Sequence, residues 1–269
     1  MPQFAMPDGA RLYYEDFGAG RPIVFVHGGA ETHAVWEQQV YTLADDFRTI
    51  TYDHRGVGQS DKPRSGYTVD QLADDLFDLV QGLGLTDVTL VSHGFGGHVV
   101  LRCLARHPDV AEKVALSAAA PWYLGDKSGP GGFSEDFFAG LNDGIARNNA
   151  QANWELLEQW LFHKDPGMPF KMGALQMALA WPVYVWKQLA RDLPALDHRP
   201  YLDQIRQPVL VLHGVHDQKN RYEGGAYLAD TLPRGRLVSF DDSAHCPFFE
   251  ELEKFNTELA AFVAADDLD

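Results

Sequence analysis

Residues 88–97, VTLVSHGFGG, hold the arrangement best suited to chemistry in this chain. The β-branched run from Val88 to Val91 predicts a buried strand. Apolar residues at Val99, Val100, Cys103 and Leu104 predict a helix that begins directly after the glycines. A strand that turns sharply into a helix is the setting of a nucleophile elbow, where the turn lifts a catalytic side chain clear of its neighbours. The pattern there is small, any, nucleophile, any, small. Ser92 and Gly96 fill the small positions, His93 and Phe95 the intervening ones, and Gly94 stands where the nucleophile belongs. Ser92 is a poor substitute, since it lies two residues early, at the strand end, with its side chain directed away from the apex.

On these residues, and on further motifs in matching order along nearly the whole chain, the sequence resembles the α/β-hydrolase superfamily in its esterase, lactonase and haloperoxidase-like branch. One such mark is DHRGVGQSDKP at 53–63, which matches the family's D-x-R-G-x-G-x-S-D-x-P loop and is expected to be structural. Asp at the elbow would suggest a dehalogenase or epoxide hydrolase, and Cys a thiol hydrolase. Gly94 fits neither.

The resemblance implies the remaining site residues. His27-Gly28-Gly29 follows the apolar run Pro22 to Val26 and supplies half of the family's oxyanion hole, so the backbone N–H groups of Gly29 and Phe95 are the expected donors. Asp217 falls at the position of the triad acid and His245, in DSAHCP, at that of the base. The order is therefore Gly94, Asp217, His245, the order of this fold with glycine in place of serine. His213, His216 and Asp217 mimic a metal cluster, but the family register accounts for them; no metal and no cofactor are expected. Cys246 is read as a packing residue.

The supporting elements follow from pattern. Phe4 to Phe17 reads as a hairpin turning at Asp8-Gly9, and helices are expected over 34–44, with Trp36, Val40 and Leu43 inward, and from Thr68, which opens a capping box. In the latter, Asp70, Asp74, Asp75 and Asp78 read as a solvated face. Core strands are expected at 47–52, 113–117, 208–214 and 236–240, and a closing helix at 248–264. The fold class is α/β, with a mostly parallel eight-stranded sheet flanked by helices and a helical cap inserted after the sixth strand. Residues 1–121 and 208–269 form the core and 122–207 the cap, in which Gly129 to Gly132 is a flexible loop. The cap holds most of the tryptophans. Trp122, Phe138, Trp154, Trp181 and Trp186 are the candidates for a pocket suited to an apolar or aromatic substrate.

Composition bounds the rest. At 269 residues and 45% hydrophobic, the chain can bury a full core. A net charge of −16 disfavours nucleic acid and anionic membranes as partners. Two distant cysteines and no leader-like N-terminus suggest the cytoplasm. The oligomeric state stays open. Three functions do too: an ester or lactone hydrolase lacking its serine, and so inactive or substrate-trapping; an enzyme using the His245–Asp217 dyad alone as general base, of cofactor-free oxygenase or lyase type; and a non-catalytic, hydrolase-like ligand-binding protein.

Overall fold

Eight strands form one sheet in the order β1-β2-β4-β3-β5-β6-β7-β8 in the computed structural model, which describes residues 2–124 and 133–266. They are β1 (Gln3–Ala5), β2 (Arg11–Phe17), β3 (Pro22–Val26), β4 (Arg48–Tyr52), β5 (Thr89–His93), β6 (Lys113–Ser117), β7 (Val209–Gly214) and β8 (Gly235–Phe240). The hairpin β1–β2 and its junction with β4 are antiparallel, and every later pairing is parallel. Strands β3, β5, β6 and β7 are buried at every residue. Helices cover both faces of such a sheet, which explains why apolar residues follow one another in these strands rather than alternating with polar ones.

The flanking helices are α1 (Glu37–Leu43), α2 (Val69–Gly82), α3 (Phe95–Arg106), α4 (Glu135–Trp160), α5 (Met168–Leu179), α6 (Val183–Leu189), α7 (Tyr222–Thr231), α8 (Pro247–Glu250) and α9 (Leu252–Ala264). Thr68 caps α2 as expected, its side chain accepting from the Gln71 N–H. The helix expected over 34–44 begins instead as a 3-10 turn, His33–Trp36, and α1 turns Gln39 inward rather than Val40. Gln39 is tolerated there because its amide donates to the Phe248 carbonyl and to Asn256 Oδ1.

The acidic face of α2 is not uniformly solvated. Asp75 is buried and forms a two-pronged pair with the guanidinium of Arg55, itself buried and also bonded to Asp8. Asp70 pairs with Arg102, and Asp74 with Arg106 and His107. The i, i+4 spacing could not separate these outcomes, because the cations come from the 53–63 loop and from α3. Removing one partner strands a buried charge. Arg55→Met is therefore expected to destabilise the fold by about 3–5 kcal/mol, and adding Asp75→Leu to restore most of that. Denaturant unfolding of both variants is the check; a loss below about 1 kcal/mol in the single variant would mean the pair is dispensable.

Between β6 and β7 the chain leaves the sheet. It returns after α4, α5 and α6, with α4 interrupted by non-helical angles at Asn148. The loop expected at Gly129 to Gly132 lies outside the described residues.

Candidate active site

The site forms where β3, β5, β7 and β8 all end, the carboxyl edge at which parallel sheets place their ligands. At the end of β5, Gly94 adopts φ 50° and ψ −113°, a backbone conformation that favours glycine. Gly96 must be small: a Cβ there would lie 2.6 Å from the Val26 carbonyl oxygen and 2.7 Å from that of His27. Ser92 is buried, its Oγ without a hydrogen-bond partner among the described residues and on the side of Gly97 rather than of Gly94.

His245, in the loop between β8 and α8, sits over Gly94. A Cβ on Gly94 would be 3.1 Å from its Nε2. That nitrogen is buried and has no hydrogen-bond partner among the described residues. Its other ring nitrogen, Nδ1, lies 2.8 Å from Asp217 Oδ2. The loop after β7 holds the carboxylate in turn: Asp217 Oδ1 accepts from the backbone N–H groups of Lys219 and Asn220, both at 2.9 Å. His213 Nε2 is 3.4 Å from Oδ2. Burial pushes the Asp217 carboxyl up, but His245 and His213 outweigh it and hold it below the ordinary range. The Asp217 carboxylate thus fixes the proton on Nδ1 and leaves the lone pair of Nε2 aimed at the space above Gly94.

Burial, the largest cause, pushes the His245 imidazole down to about 3 against the pull of Asp217. An unfolded chain would take up that proton near pH 6.5. The neutral burial of His245 therefore contributes stability that is whole above that value and lost as pH falls toward the folded one. The advantage of the native chain over His245→Gln should shrink by about 3 kcal/mol between about pH 7 and about pH 4. Parallel denaturation curves at the two pH values test this; a constant difference would show that the imidazole protonates freely in the fold.

The two residues singled out as oxyanion donors, Gly29 and Phe95, lie against each other. Phe95 opens α3, so its N–H has no carbonyl a turn earlier to bond. Gly29 faces it: a Cβ there would be 3.5 Å from the Phe95 Cβ. Ala30 carries φ 63°, an unfavourable angle for alanine, in the turn that orients the Gly29 peptide.

Two adjoining cavities open from this point between sheet edge and helices, sharing Gly29, Ala30, Asn153, Leu156 and Lys219. One runs toward Leu157, Phe162, Phe170, Met177 and Phe248, the other toward Phe95, Tyr123, Phe133, Phe138 and Trp186. Of the expected pocket aromatics, Phe138 and Trp186 line the second cavity. Trp181 lies edge-on to Phe95 and His27, its Nε1–H donating to the Glu31 carbonyl. Trp122 is elsewhere, against Tyr227 and 4.1 Å from the Arg199 guanidinium. Trp154 is half-buried and lines neither cavity. Cys246 lines the first cavity, its thiol pushed well up by burial, so it stays protonated.

Glu31, His93, Asn153 and Lys219 were not legible as site residues. Glu31 Oε1 lies 2.7 Å from His93 Nδ1, and Oε2 accepts from the Gly28 N–H at 2.6 Å. His93 Nε2 donates to the His245 carbonyl oxygen at 2.9 Å. The pair thus ties the loop after β3, the turn at Gly94 and the loop of His245 together. Burial pushes the Glu31 carboxyl up, but His93 and the Gly28 amide outweigh it and bring it down to about 2. No spacing rule pointed to Glu31; a carboxylate three residues after Gly28 was the only trace.

A family model described as alpha/beta hydrolase fold matches residues 21–252. The chain belongs to that family. This α/β-hydrolase is 31% identical to the non-heme chloroperoxidase CPO-A1 of Kitasatospora aureofaciens, over 98% of this chain and 99% of that protein. It is 33% identical to the AB hydrolase superfamily protein YisY of Bacillus subtilis, over 93% and 94%. Among solved structures it resembles an esterase from Exiguobacterium antarcticum with a TM-score of 0.94 at 29% identity, over 98% and 99% of the two chains. The relatives of this α/β-hydrolase thus include named enzymes, and among its described residues no helix is long and apolar enough to cross a membrane.

Proposed function

We propose that this α/β-hydrolase is an acyl hydrolase of the serine type whose nucleophile position is occupied by Gly94. Its substrates would be carboxylic esters or lactones with an apolar or aromatic part. One observation carries the reading: the unpartnered Nε2 of His245 lies 3.1 Å from where a Gly94 side chain would begin, with its proton fixed on Nδ1 by Asp217. A serine there would give its proton to that nitrogen as it attacked. The Gly29 and Phe95 amides would stabilise the oxyanion, and His245 would then protonate the leaving group. The helices between β6 and β7 act as the cap, and their apolar lining favours the organic part of the substrate. As it stands, the chain would bind such an ester without forming an acyl-enzyme. Two unpaired, buried thiols, Cys103 and Cys246, are consistent with a cytoplasmic location.

The test compares the chain with Gly94→Ser on short-chain p-nitrophenyl esters. Equal, background-level rates in two folded proteins would sink the reading. The same orphaned base favours a second reading, in which the His245–Asp217 dyad abstracts a proton from a bound substrate or a water above Gly94. That reading requires turnover by the glycine form that His245→Ala removes.

A further inference from the structure

Lys219 is the cationic side chain in the walls of both cavities, which are otherwise mostly apolar. It is half-buried, and its ammonium lies within 4.0 Å of no carboxylate among the described residues. The two carboxylates nearest the site are already engaged: Glu31 by His93 and the Gly28 amide, Asp217 by His245 and two backbone amides. The Lys219 charge helps hold the Glu31 carboxyl down at longer range, but a partly desolvated ammonium gains most from an anion in direct contact, and among the described residues no carboxylate pairs with it directly. Its place is held firmly, because the Lys219 N–H donates to Asp217. The side chain therefore starts two residues from the catalytic acid, at the junction through which both cavities meet the oxyanion amides.

We infer that Lys219 is a specificity-determining residue that receives a carboxylate on the substrate, so that the preferred ligands are esters carrying a second, anionic group beside an apolar one. This rests on the acyl-hydrolase reading for which bond is broken, but the recognition itself needs no turnover. The anion would sit against Lys219 at the cavity junction, the aryl or alkyl part would fill one apolar lobe, and the ester carbonyl would face Gly29 and Phe95.

The test is calorimetric binding to the chain as it is, which cannot form an acyl-enzyme. Monobenzyl glutarate is compared with benzyl glutaramate, its neutral amide of nearly the same shape. The carboxylate should bind at least about tenfold tighter, Lys219→Met should abolish that preference, and Lys219→Arg should keep most of it. Lys219→Gln serves if the Met form melts early. Equal affinities for the two compounds would overturn the inference. So would a preference that survives in Lys219→Met, since the carboxylate would then be seated on the oxyanion amides instead. Ester hydrolysis gained by Gly94→Ser without any Lys219 effect would remove this inference alone. A Lys219-dependent preference without gained hydrolysis would leave the binding site standing and remove the acyl-hydrolase reading.

Discussion

Gly94→Ser should raise the rate of ester hydrolysis by at least about a thousandfold, and by as much as about a millionfold. The upper bound is what removal of the serine costs a serine-protease triad. On the proposed reading the rest of the triad is supplied by an imidazole whose Nε2 has no hydrogen-bond partner among the described residues and by a carboxylate on its Nδ1, with the Gly29 and Phe95 amides as the oxyanion donors. The structural cost should be small. A serine at φ 50° and ψ −113° is strained by about 1–3 kcal/mol, and its hydroxyl returns roughly 1 kcal/mol by satisfying the buried nitrogen. His245 must yield slightly, since the 3.1 Å approach of a Cβ is tight. The melting temperature should accordingly fall by no more than about 8 °C. Steady-state assays with scanning calorimetry on the two proteins read both quantities together. A serine form that melts normally and hydrolyses nothing would mean that the histidine and the oxyanion amides are not in working register.

Asp217→Asn, made in the serine form, should lower turnover by about ten-thousandfold while leaving the fold nearly unchanged. The two oxygens of Asp217 do different work. Oδ1 accepts from the Lys219 and Asn220 amides, so an asparagine would keep its carbonyl oxygen there. Its NH2 would then replace Oδ2 and point at His245 Nδ1, which now meets a donor. The imidazole must move its proton to Nε2 and offer the serine an N–H instead of a lone pair. Turnover reduced by less than about tenfold would show that the tautomer is set by something other than this carboxylate.

How much of this was written in the sequence depended on whether the decisive contact was local. The elbow was legible because its strand, glycines and helix are contiguous, and successive apolar residues marked the four strands that are buried throughout. Asp217, His245, Gly29 and Phe95 could be singled out by their order along the chain, and the fold brings them together. What failed was orientation across elements. Asp75 reads as one of four acids on a polar face, yet its environment is decided by Arg55, twenty residues away on another loop. Trp122 and Trp154 look as good as Trp186, but only helix packing decides which ring turns toward the site and which toward Arg199. Lys219 and Glu31 belong to no spacing pattern; they matter because loops after β3 and β7 bring them to one cavity.

The left-handed turn at Gly94 has a genetic corollary. Some glycine and serine codons differ by a single base, and the backbone at this position suits glycine at least as well as serine. Loss of the nucleophile would therefore pass unnoticed by any selection acting on folding or abundance alone, and stability would favour keeping it lost. Only demand for the reaction itself would restore the serine. If the proposed reading holds, the Asp217–His245 pair and the cavities beside Gly29 would stand ready for such a change.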